Sequence, residues 1–81
     1  MKNLEEYITL AKKVERAPLS EVFDLVFNMI DKYTGPEKGH KAKVMGWKTS
    51  YNEGHSTEML IRNKLMGLIG GVAQEQKVIK F

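Results

Sequence analysis

Apolar residues recur at helical spacing in two segments of the first half of the chain. The first segment, residues 4–16, follows Asn3, a favourable N-cap residue. The second segment, residues 19–33, begins after Pro18, which disfavours helix at the residue before it, and ends before Gly35, a good helix terminator. Its apolar surface is wide, which predicts a helix that lies between two partners.

A third helix is predicted to begin at Ser56 or Thr57 and to run to about Gly70 or a few residues beyond. Gly67 and Gly71 are four residues apart and therefore share one helix face. Because glycine has no side chain, another backbone can come close to that face, within the subunit or across a two-fold axis. Equally, Gly70 and Gly71 suit the end of the helix.

The segment between the second and third helices alternates in a way that predicts a strand. Residues 41–51 alternate with a period of two, although neither set is cleanly apolar, and residues 52–55 form a turn. Residues 77–81, KVIKF, predict a second short strand. The predicted fold is α+β in one domain, residues 1–81, with three helices and a small antiparallel β element in the order α-α-β-α-β. Two strands are marginal alone, so they pair with each other or with copies in a second subunit.

Composition narrows the function classes. The chain has 81 residues, no cysteine and a net charge of +3. Disulfides, cysteine zinc sites and thiol catalysis are excluded. Residues 1–35 carry a net charge of −1 and residues 36–81 carry +4, so the second half attracts anions modestly. Only two of the thirteen basic residues are arginine, which makes nucleic acid an unlikely partner.

Targeting and membrane-spanning signals are not expected. The first residues, MKNLEEYITLAKK, are too charged for the apolar region of a signal peptide. The apolar run of residues 59–73 is interrupted by Arg62, Asn63 and Lys64, so it does not predict a membrane span. These features predict a cytoplasmic chain that starts at Met1.

The predicted functional site is the turn into the third helix together with the strand before it. A helix start offers free backbone N–H groups and the positive end of the helix dipole, which suit phosphate. Aromatic rings on the strand would stack on a planar group. The candidate ligand-binding residues are Lys43, Trp47, Lys48, Tyr51, His55, Ser56, Thr57 and Arg62.

Each candidate also has an ordinary structural interpretation. Ser56 or Thr57 is a common helix cap, and the only tryptophan of a small domain is most often a core residue. Glu53, His55 and Glu58 lie close together, with His40 as a further ligand in space, but the spacing matches no known zinc pattern. We assign no metal, no cofactor and no catalytic residue, and we do not expect an enzyme.

The leading functional hypothesis is a small homo-oligomeric protein that sequesters a phosphate-bearing ligand, a nucleotide signal being one such ligand. By broad analogy alone, compact lysine-rich chains without cysteine are common among viral proteins that sequester a host signal. One alternative is an inhibitor or adaptor that adds the 41–51 strand to the sheet of a host protein. The other is weak nucleic-acid binding through the basic second half.

Overall fold

Four α-helices make up most of the part of the chain that the structure describes. The structure, a computed structural model, describes residues 3–35 and 39–79, and within these residues it contains no strand. The helices are α1, Leu4–Arg16; α2, Leu19–Tyr33; α3, His40–Asn52; and α4, Glu58–Glu75. The predicted α+β fold is therefore wrong, and the chain is a small all-helical bundle.

The predicted strand over residues 41–51 is the helix α3. Its residues that face the other helices are His40, Val44, Trp47 and Tyr51, at intervals of four, three and four. That spacing places them on one helical face. The alternation with a period of two, which predicted a strand, does not coincide with the residues that are buried. Because this segment is a helix, the hypothesis that it adds a strand to a host protein's sheet loses its structural basis.

The C-terminal strand is also wrong as far as the structure describes it. Residues 77–79 form a turn after α4, and the Val78 N–H group donates to the Ala73 carbonyl at 2.9 Å. Lys77 has a φ of 60°, which is left-handed rather than extended. Residues 80 and 81 of that predicted strand, and Pro36 after α2, lie outside the described residues.

The helices α1 and α2 begin and end where the sequence predicts. The Asn3 side-chain oxygen accepts a hydrogen bond from the Glu6 N–H group at 2.9 Å, as expected of an N-cap. The Glu6 carboxylate accepts a hydrogen bond from the Tyr33 hydroxyl at 2.6 Å, which ties α1 to the end of α2. After α2, Gly35 adopts a φ of 71° and donates its N–H group to the Ile30 carbonyl.

Helices that follow each other along the chain run in opposite directions around one apolar core, so α4 runs antiparallel to α1 and in the same direction as α2. Arg62 of α4 reaches the Val14 carbonyl near the end of α1, whereas Gln76 after α4 reaches the Tyr33 carbonyl at the end of α2. The helix α4 continues through Gly70 and Gly71 to Glu75, so the glycine pair does not end it. It packs against all three other helices. The core residues are Val14, Leu19, Val22, Phe23, Val26, Met29, Ile30, Val44, Ile61, Leu65, Leu68, Ile69, Val72 and Ala73.

In the described part of the chain, no helix has both the length and the apolar character that a bilayer crossing requires.

Candidate functional site

The predicted phosphate seat at the start of the last helix is occupied by the chain's own groups. The Thr57 hydroxyl caps α4 by accepting from the Leu60 N–H group at 3.2 Å. The Ser56 hydroxyl lies 2.7 Å from the Ser50 hydroxyl of α3, so these two groups satisfy each other. The turn before them has Gly54 at a φ of 80°, as the ordinary capping interpretation requires.

Arg62 and His55, two of the residues predicted to bind phosphate at this helix start, already contact other groups of the chain. The Arg62 guanidinium donates to the Val14 carbonyl at 2.8 Å and to the Glu58 carboxylate at 3.1 Å. His55 is exposed, and its Nε2 lies 3.5 Å from a Glu53 carboxylate oxygen. The Arg62 contacts link α4 to α1, and the His55 contact lies within the turn. Together these contacts do not surround a cavity that could hold a ligand.

Lys48 and Tyr51, two other predicted ligand residues, serve the packing of α3. The Lys48 ammonium lies 5.9 Å from the ring centre of Phe23 and 6.0 Å from that of Phe27, both on α2. Tyr51 is half-buried against the core. Neither side chain lines the groove that holds the remaining two candidates.

Lys43 and Trp47 lie together in a groove between α3 and α4. Its volume is about 430 Å³, which is within the range of small-ligand sites. The groove is lined by His40, Lys43, Trp47, Lys64, Gly67, Leu68, Gly71, Val72 and Glu75. We refer to it as the α3–α4 groove.

The two lysines that line the α3–α4 groove form no ion pair in the described part of the chain. The Lys64 ammonium lies 5.9 Å from the centre of the Trp47 ring, within reach of a cation–π interaction. Neither Lys43 nor Lys64 forms an ion pair with a carboxylate of residues 3–35 or 39–79. Glu75 is the acidic residue of the lining and lies at the end of α4. The groove therefore combines an aromatic ring with two available positive charges.

His40 adds a polar group that has no hydrogen-bond partner among residues 3–35 and 39–79. Both of its ring nitrogens are buried, and neither makes a hydrogen bond. Leaving a buried polar group unsatisfied costs about 1–3 kcal/mol. His40, Lys43 and Trp47 follow the helical spacing i, i+3, i+7, so the sequence held the signal for this set once the segment is read as a helix.

Two glycines of α4 line the groove, and the space beside each of them is open. A Cβ atom added to Gly67 or Gly71 would meet no atom of the described chain within 4 Å. The expectation that these glycines allow close packing within the subunit is therefore wrong. Packing across a two-fold axis remains a prediction.

A second and larger groove, of about 540 Å³, lies between α1 and α2. Leu10, Leu25 and Met29 contribute apolar surface, and Glu5 and Glu6 contribute acidic groups at the end where α1 begins. The pKa of the exposed Lys32 at its rim is raised, mainly by its hydrogen bond and charge interaction with Tyr33. Lys13 and Lys32 also line this groove, so its acidic and basic residues are equal in number, and it offers an anionic ligand no excess of positive charge despite its size.

No protein-family model, curated protein or solved structure matches this chain.

Proposed function

We propose that the protein binds a small ligand with phosphate groups and a planar ring, a nucleotide in chemical class, in the α3–α4 groove. The observation that carries the proposal is the meeting of Trp47 with Lys43 and Lys64, which pair with no carboxylate of the described residues. Beside them lies His40, whose buried ring nitrogens make no hydrogen bond within that part of the chain. At the start of α4, the Ser56 and Thr57 hydroxyls already bond to other groups of the chain. The polar side chains of the α3–α4 groove are not bonded to each other in the described residues.

Each group has a separate task in this proposal. The base stacks on the Trp47 ring, an interaction worth about 1–3 kcal/mol per base. Lys43 and Lys64 contact phosphate oxygens, and charged hydrogen bonds of this kind contribute about 1.5–3 kcal/mol each. A ligand donor or acceptor satisfies His40, which removes the cost of its unpaired nitrogens.

The biological role that fits this chemistry is sequestration of a nucleotide signal in the cytoplasm. Retention needs a stacking ring and positive charges around the ligand, which the α3–α4 groove supplies, and it needs no catalytic group. Viral proteins that capture a host signal act in this way, and the analogy is with that strategy and not with any one sequence.

Thermal shift with three probes separates the contributions of ring and phosphate. We expect ATP to raise the melting temperature, because a ligand that binds only the folded state stabilises it. Inorganic triphosphate should give a smaller rise and adenosine a smaller one still. Equal shifts with ATP and triphosphate would remove the stacking role of Trp47, and no shift with any nucleotide tested would contradict the proposal.

Replacing Trp47 with leucine tests stacking directly. We expect Trp47→Leu to weaken ATP binding by about tenfold, the loss of roughly 1.4 kcal/mol, while triphosphate binding changes little. Isothermal titration calorimetry measures both affinities. Tyr51→Leu is the matched control, because Tyr51 is half-buried on the same helix but does not line the groove. Equal losses in the two variants would argue against a ligand on the Trp47 ring.

A further inference from the structure

The Lys64 ammonium covers the ring on which a base would stack in the α3–α4 groove. It lies over the Trp47 ring, 5.9 Å from the ring centre. Trp47 is half-buried and packs against the core, so only part of its ring surface is open to the groove. A base that stacks on this open surface therefore competes with Lys64 for the same position.

The contact with the ring holds the Lys64 ammonium only weakly. A cation–π interaction at an exposed site changes an equilibrium constant by about two- to fivefold. Lys64 is exposed, and it forms no ion pair with a carboxylate of residues 3–35 or 39–79. A phosphate oxygen offers the ammonium a charged hydrogen bond, which is a stronger interaction. The ammonium can therefore leave the ring for a phosphate group.

The groove also leaves space beside the ring into which Lys64 can move. Gly67 follows Lys64 by three residues and lies about one turn further along the same face of α4. It lines the groove, and a Cβ atom there would meet no atom of the described chain within 4 Å. The flexible lysine side chain can therefore change its position without meeting a side chain at residue 67.

Lys43 differs from Lys64 in its relation to the ring. It lines the same groove and lies about one turn before Trp47 on α3. Among the described residues, the ammonium found over the Trp47 ring is that of Lys64. Both lysines favour a ligand with a phosphate group, but Lys64 also opposes a planar ligand that has none.

We propose that Lys64 makes the α3–α4 groove selective for nucleotides over nucleosides, because it covers the Trp47 ring until a phosphate group draws the ammonium away. This inference rests on the proposed function. A nucleoside displaces Lys64 from the ring and offers no phosphate contact in return. A nucleotide displaces the same side chain and replaces the lost contact with a charged hydrogen bond.

The Lys64→Gln variant should therefore change the binding of adenosine and of ATP in opposite directions. We expect adenosine to bind about two- to fivefold more tightly, because the ring is no longer covered by a cation. We expect ATP to bind at least fivefold more weakly, because a phosphate contact is lost. Trp47 is the only tryptophan of the chain, so titration of its fluorescence measures both affinities.

Lys43→Gln is the matched control, because it makes the same change in the same groove without uncovering the ring. It should weaken ATP binding at least fivefold and leave the affinity for adenosine unchanged. Circular dichroism checks that both variants fold. An adenosine affinity that does not rise in Lys64→Gln would overturn the inference. If both variants nevertheless lose affinity for ATP, the proposed function stands.

Acrylamide quenching of Trp47 fluorescence tests the cover on the ring without any ligand. We expect quenching to increase in Lys64→Gln and to stay unchanged in Lys43→Gln, because only Lys64 lies over the ring. Equal quenching in the two variants and the original chain would overturn the inference, whether or not a nucleotide binds. Increased quenching in Lys64→Gln without binding of ATP to the original chain would overturn the selectivity and the proposed function together.

Discussion

Replacing both lysines of the α3–α4 groove with glutamine is expected to weaken ATP binding at least a hundredfold. Each lysine contributes about 1.5–3 kcal/mol through a charged hydrogen bond to phosphate, and a factor of ten corresponds to about 1.4 kcal/mol. Lys43 and Lys64 have no carboxylate partner in the described chain, so their removal exposes no opposite charge and should leave the fold intact. Calorimetric titration with ATP measures the loss.

A second double variant controls for net charge. Lys12→Gln combined with Lys41→Gln also lowers the net charge by two, but neither residue lines the groove. Lys12 is exposed, and the Lys41 ion pair with Asp31 is exposed on both sides and therefore contributes little to stability. We expect this variant to bind ATP within about threefold of the original chain, since screened distant charges act weakly. If both double variants lose affinity equally, binding reflects overall charge and not a defined groove.

Replacing Phe23 with alanine is expected to lower the free energy of unfolding by about 3–5 kcal/mol, a large part of the total. Truncation of a buried phenylalanine costs about 3–5 kcal/mol, because burial of the ring is lost and a cavity remains. A domain of 81 residues has a total stability of about 4–12 kcal/mol at the usual value per residue. Phe23 is 2% exposed and belongs to the core shared by the helices. Urea denaturation followed by circular dichroism measures the change.

Phe27→Ala is the control on the same helix with the same chemical change. Phe27 is only half-buried, although the Lys48 ammonium approaches both rings at similar distances. We expect it to cost less than half as much as Phe23→Ala. If Phe23→Ala fails to fold, Phe23→Leu, a smaller change in volume, provides a measurable value. Equal costs at the two positions would contradict the described packing of α2.

The first two helices can be predicted from local signals in the sequence. Asn3 caps α1, Pro18 separates α1 from α2, and Gly35 follows the end of α2 with the positive φ that such an end requires. These signals act within a few residues, so they do not depend on the remainder of the fold. The same holds for Thr57, whose hydroxyl caps α4.

The sequence does not predict α3, because the local signals of residues 40–52 are weak. Gly39, with a φ of 71°, provides no side-chain cap, and α3 contributes one fully buried apolar residue, Val44. With so few apolar positions, a segment with lysines on alternate residues is as compatible with a strand as with a helix. Packing against α2 and α4 decides the outcome, and that packing is not visible in a local window.

The candidate site was recovered only in part for the same reason. Lys43 and Trp47 were chosen for their chemistry and do lie in the α3–α4 groove. Lys64 belongs to α4 and reaches the Trp47 ring only because α3 and α4 pack antiparallel, which the strand prediction concealed. The sequence suggests His40 as a further metal ligand, and its place in the groove depends on burial that the sequence does not display.

The most direct test of the ligand site is a titration of the isotope-labelled chain with ATP, followed by two-dimensional amide NMR. We predict saturable shifts of the Trp47 indole N–H group and of the backbone amides of Gly67 and Gly71, with much smaller shifts at residues 56–60. Shifts confined to residues 56–60 would move the site to the start of α4. The absence of saturable shifts up to millimolar ATP would contradict nucleotide binding in the α3–α4 groove.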